Sequence, residues 1–130
     1  MLVKDWMSRK VVTVNVNDSM QHGINLLMEH DISMMPVMED GQLVGIVTDR
    51  DLKRASPSDA VMLDIQRIFY LLSKLEVGAI MSRYPITLSP DHTMEEAAEI
   101  MLTNKISGAP VLDDNKNIVG MITKSDIFKA

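Results

Sequence analysis

The chain has 130 residues, no cysteine, a formal net charge of −5, 46% hydrophobic and 4% aromatic residues, and twelve methionines. Absence of cysteine excludes disulfide scaffolds and cysteine-ligated metal centres, and an acidic balance with few rings argues against a nucleic-acid groove, which needs clustered Lys and Arg. No stretch approaches the roughly 18 apolar residues of a membrane span, and MLVKDWMSRK lacks the apolar core of a secretory signal, so the sequence reads as a cytoplasmic protein without a membrane partner.

In chain order, Val11 to Val14 is a β-branched run and a predicted strand. Asp18-Ser19 signals a helix start, and Met20, Ile24, Leu27 and Met28 mark one apolar helix face. Met35 to Met38 and Leu43 to Thr48 flank the turn Glu39-Asp40-Gly41-Gln42 and predict a hairpin, followed by a short helix beginning at Thr48. Ser56-Pro57-Ser58-Asp59 signals a further start, and Val61, Ile65, Ile68, Leu72 and Leu75 form the stripe of an amphipathic helix, with Phe69 and Tyr70 beside it. The series then recurs. Pro85 to Leu88 is a strand candidate, and Thr93 with Glu96 forms a capping box ahead of Met94, Ala97, Ala98, Met101 and Leu102. Ala109 to Leu112 and Ile118 to Thr123 repeat the hairpin, and a short helix begins at Thr123.

The recurrence is a duplication. Laying Val3–Ala55 over Val77–Ala130 needs one inserted residue, near Lys116, and gives sixteen identities across 53 aligned positions. The matches cluster at Met7-Ser8-Arg9 with Met81-Ser82-Arg83, Ile32-Ser33 with Ile106-Ser107, Pro36-Val37 with Pro110-Val111, and Gly45, Thr48 and Asp51 with Gly120, Thr123 and Asp126. The sequence therefore divides into a first repeat (1–55), a connecting helix or linker (56–76) and a second repeat (77–130), each repeat reading β-α-β-β-α. A repeat of this size buries too little surface to be secure alone. The expected fold is α/β (α+β): two repeats related by pseudo-twofold symmetry, their sheets packed together with helices outside and paired clefts at the junction. Most methionines read as core filler, with Met20, Met28, Met94 and Met101 on packing faces.

The strongest candidate residues lie in GIVTDRD (Gly45 to Asp51) and GMITKSD (Gly120 to Asp126). Two readings apply. Thr48 with Asp51, and Thr123 with Asp126, fit a helix cap in which hydroxyl and carboxylate satisfy backbone N–H groups left open at a helix start. The same residues fit a ligand site, since a strand ending at a helix start offers N–H groups to a phosphate and an ionised Asp can accept both hydroxyls of a ribose. Arg50 and Lys124 could meet an anionic tail. His22, His30 and His92 share no metal-ligand spacing, and His30 near a helix end reads as dipole compensation. Glu95, Glu96 and Glu99 read as solvated charge, and Trp6 as an anchor for the N-terminal segment. No nucleophile, base and acid arrangement can be assembled, so no catalytic residue, metal or required cofactor is assigned and the chain does not read as an enzyme.

With Met7-Ser8-Arg9, Ser33-Met34-Met35-Pro36-Val37 and GIVTDRD answered by Met81-Ser82-Arg83, Ser107-Gly108-Ala109-Pro110-Val111 and GMITKSD, the chain resembles a tandem pair of cystathionine β-synthase (CBS) domains, the Bateman module. Within that family it is most similar to the CBS pair of acetoin-utilisation AcuB-type proteins, through TDRDLKRASPSDA and LLSKLEVGAIMSR. The resemblance implies a regulatory module binding adenosine-containing ligands, AMP, ADP, ATP or S-adenosylmethionine, in two clefts between the repeats. It implies a first site of Thr13, Ser33, Met34, Met35, Thr123 and Asp126, and a second of Thr87, Ser107, Gly108, Ala109, Thr48, Arg50 and Asp51, with Met34 and Met35 at a base pocket. Energy-sensing relatives carry a basic residue at the positions of Met34 and Gly108. Its replacement here by an apolar residue and a glycine speaks against a polyphosphate, and the methionines favour an adenosine with a modest anionic or sulfonium tail at the first site. The resemblance also implies a homodimer and a regulated protein partner. A dimeric scaffold that needs no ligand is the alternative.

Overall fold

Asp40 and Gly41 reverse the chain within two residues, and both take positive φ, 51° and 79°. Positive φ at both central positions is the turn whose twist matches a hairpin, and Asp-Gly is its favoured sequence. It joins β2 (Met34–Glu39) to β3 (Gln42–Thr48) in antiparallel register, Met34 opposite Thr48 and Glu39 opposite Gln42. The second hairpin, β5 (Gly108–Leu112) and β6 (Ile118–Thr123), pairs Gly108 with Thr123. Its loop is longer by the inserted residue. Lys116 sits at φ 65°, while Asp113 Oδ1 accepts the N–H groups of Asn115 and Asn117, so a side chain holds the turn where the first loop uses glycine.

The computed structural model describes residues 1–55 and 65–130. Each hairpin is the centre of one unit: Val12–Tyr84 forms one, and Pro85–Ala130 together with Met1–Val11 forms the other. In the 12–84 unit the strand order is β1-β2-β3-β4, with β1 (Val14–Asn15) parallel to β2 and β4 (Ser82–Arg83) antiparallel to β3. In the 85–130 unit the same positions are taken by single bridges, Leu88 parallel to Val111 and Ser8 antiparallel to Met121. Each unit thus takes the leading segment of the other repeat. Residues 1–11, with α1 (Val3–Trp6), dock on the second hairpin, while a 3-10 turn (Val77–Ala79) and β4 dock on the first.

The two glycines of the repeated motif lie against the recurring Met-Ser. A Cβ on Gly45 would lie 2.5 Å from Met81 Sδ and 2.8 Å from the Ser82 carbonyl, and one on Gly120 would lie 2.5 Å from Met7 Sδ and 2.9 Å from the Ser8 carbonyl. The docked segment therefore crosses its hairpin at a point where only a residue without a side chain leaves room. Trp6 packs partly buried against the core of the 85–130 unit, in keeping with an anchoring role.

The two cores match position by position. Val14, Met20, Leu27, Met35, Val37, Val47 and Val77 fill the 12–84 unit, and Leu88, Met94, Met101, Ala109, Val111, Ile122 and Val3 fill the other. The long helices supply the stripes: α2 (Met20–Glu29), capped by Ser19, and α5 (Met94–Asn104), capped by Thr93 and Glu96 in a capping box. Two stripe residues are corrected. Met28 and Leu102 are 76% and 75% exposed. Both stand eight residues after the first buried methionine, about 80° further round a helix of 3.6 residues per turn, which carries them past the edge of the face.

The strand expected over Val11 to Val14 shrinks to Val14–Asn15, and that over Pro85 to Leu88 to the single bridge at Leu88. The first run straddles the passage from one unit to the next and the second begins at such a passage, so their leading residues have no sheet to join. After β3 and β6 the chain enters α3 (Asp49–Ala55) and α6 (Lys124–Lys129), the short helices expected from Thr48 and Thr123. The connecting helix is α4 (Ile65–Lys74), packed on α2 with Leu72 buried and Leu75 partly so. Its expected start at Ser56-Pro57-Ser58-Asp59, residue Val61 and the side chains of Ile65, Ile68 and Phe69 lie outside the described residues. The fold is mixed α+β with two repeats, as the duplication predicts.

Candidate functional site

β3 and β6 end at Thr48 and Thr123, where the backbone leaves the sheet and turns into a helix. In the 12–84 unit the Thr48 N–H donates to Asp51 Oδ2 at 2.9 Å, and the Asp51 N–H donates to Thr48 Oγ1 at 3.2 Å. In the 85–130 unit Asp126 Oδ2 accepts both the Thr123 N–H at 2.9 Å and the Thr123 hydroxyl at 3.1 Å. All four residues are half-buried. The capping reading of the motif is thus realised in both copies. It engages one carboxylate oxygen of each Asp, Oδ2, and holds the side chain in one orientation.

The neighbouring strand is fixed to the same place. The Asp49 N–H donates to the Ser33 carbonyl at 2.9 Å, and the Lys124 N–H donates to the Ser107 carbonyl at 3.0 Å. With Met34 opposite Thr48 and Gly108 opposite Thr123, each unit gathers the start of one strand and the end of the next at one edge. Ser33, Met34 and Met35 therefore stand beside Thr48 and Asp51, and Ser107, Gly108 and Ala109 beside Thr123 and Asp126. The resemblance distributes these neighbours over two different sites. Within each unit the structure brings together one site's strand residues and the other site's Thr and Asp.

Side-chain exposure separates their roles. Thr13, Ser33, Ser107 and Arg50 are exposed, and Thr87 is half-buried. Met34 is buried. The Met35 side chain is wholly buried in the core, its Cε 3.6 Å from where a Cβ on Gly23 would lie, so what Met35 can offer a ligand is its backbone. Ala109 is likewise buried. Thr13 directly precedes β1 and Thr87 directly precedes the Leu88 bridge, so the two threonines hold equivalent places in the two units.

Sequence reasoning missed the part of Met7, Ser8, Met81 and Ser82, which lie across Gly120 and Gly45, three residues before each Thr. Their exact recurrence was the signal. Among the described residues no group of three or more His, Asp or Glu could hold a metal ion, and no helix is long and apolar enough to cross a membrane. His30 is the C-cap residue of α2.

The chain can be placed by comparison. The family model described as the CBS domain matches it twice, at residues 3–58 and 77–130. The chain belongs to the CBS domain family. This CBS pair is similar to the solved CBS domain pair of protein MJ0100 in complex with 5′-methylthioadenosine and S-adenosyl-L-methionine, with 32% identity, a TM-score of 0.82, and 99% of this chain and 94% of that one covered. It is similar to CBSX2 of Arabidopsis thaliana in complex with AMP, at 26% identity and a TM-score of 0.80, over 98% and 93% of the two chains. An acetoin utilization protein (AcuB) from Vibrio cholerae shares the fold at 26% identity and a TM-score of 0.79, over 99% and 88%. The CBS pair thus has AcuB among its structural neighbours, and two of its solved homologues, the MJ0100 pair and CBSX2, bind adenosine compounds.

Proposed function

We propose that this CBS pair is a regulatory module that binds an adenosine-containing ligand and passes its ligand state to a protein partner. The observation that carries the proposal is the doubled edge: in each unit a backbone-tied strand start stands beside a Thr and an oriented Asp. The apolar start of β2 or β5 suits an adenine face, and the Asp suits a ribose diol, since a hydrogen bond to a charged group contributes about 1.5 to 3 kcal/mol. Solved neighbours that bind S-adenosylmethionine, methylthioadenosine or AMP support the ligand class. Absence of a basic side chain at Met34 and Gly108 favours a ligand with a short or sulfonium tail over a polyphosphate. The two residue sets implied by the family resemblance, Thr13, Ser33, Met34, Met35, Thr123 and Asp126, and Thr87, Ser107, Gly108, Ala109, Thr48, Arg50 and Asp51, are the proposed binding residues. No catalytic role is proposed.

Calorimetry and thermal unfolding with S-adenosylmethionine, methylthioadenosine, AMP and ATP test this. A ligand at 100 times its dissociation constant adds about 2.7 kcal/mol of stability. D51A and D126A should each abolish one binding event while the protein stays folded. If none of the four compounds gives heat or a thermal shift, the reading fails. The second reading, a dimeric scaffold that needs no ligand, is favoured by the exposure of Met28, Leu102 and Phe128, the last 85% exposed. Sedimentation showing a dimer whose partner binding ignores all four compounds would select it.

A further inference from the structure

The turn before each long helix is the seat on which the exchanged segment docks, and the two seats are built alike. In the 12–84 unit the Val77 N–H donates to the Asp18 carbonyl at 2.8 Å, the Gly78 N–H to the Val16 carbonyl at 2.9 Å, and the Met20 N–H to the Leu75 carbonyl at 2.8 Å. In the 85–130 unit the equivalent bonds run from Val3 to His92 at 2.8 Å, from Lys4 to Pro90 at 3.0 Å, and from Met94 to Met1 at 3.0 Å. In each turn Asn15 Oδ1 or Ser89 Oγ accepts the N–H two residues on, and a second side chain accepts a backbone N–H three residues earlier. In the first turn that acceptor is Asp18 Oδ2, 2.9 Å from the Asn15 nitrogen; in the second it is His92 Nδ1, 2.9 Å from the Ser89 nitrogen and part-buried.

We infer that His92 makes the docking of the N-terminal segment pH-sensitive, in contrast to the docking of residues 77–83. A neutral imidazole can accept at Nδ1; a protonated one carries N–H on both nitrogens and cannot. Imidazole ordinarily titrates between about pH 5 and 8, while a carboxylate remains an acceptor throughout that range. Protonation of His92 therefore removes one of the three bonds that hold the turn presenting the Pro90 and His92 carbonyls to Lys4 and Val3, leaving His92 N–H to the Ser89 carbonyl and Asp91 N–H to Ser89 Oγ, and so loosens it. The freed segment runs on to Met7 and Ser8, which lie over Gly120 on β6, the strand that ends at Thr123.

The surrounding charges are asymmetric too. Around His92 they are Lys4 on the docked segment, Asp91 within the turn and Glu96 on α5. Lys4 is itself paired with Asp91 at 3.6 Å. Asp18 faces His22 Nε2 at 3.9 Å, whereas the acceptor of the second turn is itself the imidazole.

Amide hydrogen exchange on the full chain, corrected for intrinsic rates, tests the inference at pH 7.5 and 5.5. Protection at Val3, Lys4 and Met94 should fall about tenfold on acidification, the scale of losing one hydrogen bond to a part-buried N–H. Protection at Val77, Gly78 and Met20 should hold. His92→Asn, which keeps an acceptor that does not titrate, should abolish the fall, and Asp18→His should transfer it to Val77 and Gly78. A parallel fall in both sets, or a fall that persists in His92→Asn, would overturn the inference.

Discussion

The two units are built on one plan and filled differently, and the difference shows what the plan requires. Opposite the long helix, the 12–84 unit sets a large strand residue, Met35, against a glycine, Gly23; the 85–130 unit sets two alanines, Ala109 and Ala97. The total space is shared out in two ways. By contrast, the crossing glycines Gly45 and Gly120, the threonines and the aspartates are identical, because each meets backbone or holds backbone. Side-chain volume can be traded between neighbours in a core, whereas a close approach of backbone to backbone cannot.

The largest expected effect tests that trade. Met35→Ala should destabilise the chain by about 2 to 5 kcal/mol, since Gly23 cannot fill the cavity left behind. Chemical denaturation followed by circular dichroism measures it. Ala109→Met should be destabilising by about 1 to 3 kcal/mol through overpacking against Ala97, and Ala97→Gly in the same chain should recover part of the loss. Additive losses in that pair would break the comparison. Gly23→Ala runs the other way. Its Cβ would meet Val77 Cγ2 at 3.4 Å and Met35 Cε at 3.6 Å, ordinary contacts, so the helix should gain up to about 1 kcal/mol.

The crossing points come next. Gly45→Ala and Gly120→Ala should each cost about 1 to 3 kcal/mol, because the added carbon meets a carbonyl as well as a methionine sulfur. Equal losses at the two positions are expected from the equal distances. If Met7→Ala fully rescued Gly120→Ala, the sulfur rather than the Ser8 backbone would be the obstacle.

Much of this plan was legible in the sequence, and the reason is local. Asp40-Gly41, the Ser19 and Thr93 caps and the Thr-x-x-Asp starts act over two to four residues, so their spacing is their structure. The partner of a segment is a different matter. Met7-Ser8-Arg9 and Met81-Ser82-Arg83 recur identically, yet nothing local says that each docks on the hairpin of the other repeat. For the same reason Val11 to Val14 looked like a full strand although its first residues lie where the chain passes between units. Met35 was assigned to a base pocket by resemblance, while its side chain is committed to the core by the glycine across from it.

The two caps engage the threonine hydroxyl differently. Thr48 accepts from the Asp51 N–H, while Thr123 donates its hydroxyl to Asp126. Asp51→Ala and Asp126→Ala should each cost about 0.5 to 2 kcal/mol as lost caps, in addition to any loss of ligand binding. Thr123→Val should weaken its unit through loss of the bond donated to Asp126. Thr48→Val should instead leave the Asp51 N–H without its acceptor. Thermal unfolding with and without ligand separates cap from site, since a pure cap lowers stability without changing the ligand-induced increment.

The smallest effect concerns the starts of the long helices, where Glu96 of α5 stands at the position of His22 in α2. Glu96 accepts the Thr93 N–H at 3.0 Å while Thr93 Oγ1 accepts the Glu96 N–H at 3.0 Å. The Thr93 backbone bond, then its side-chain bond, hold the Glu96 carboxyl below its ordinary value. A lowered folded value means that the unfolded chain binds the proton first, so the contribution is fully present above the ordinary value of 4.5 and is lost as pH falls through the lowered one. On acidification below that range, amide protection in the first turn of α5 should decline. Glu96→Gln, which keeps the acceptor without the charge, should remove this pH dependence. The first turn of α2, capped by Ser19 with His22 at the third position, has no carboxylate there to protonate. A decline of equal size at α2 would show that the acid loss comes from elsewhere than the Thr93–Glu96 box.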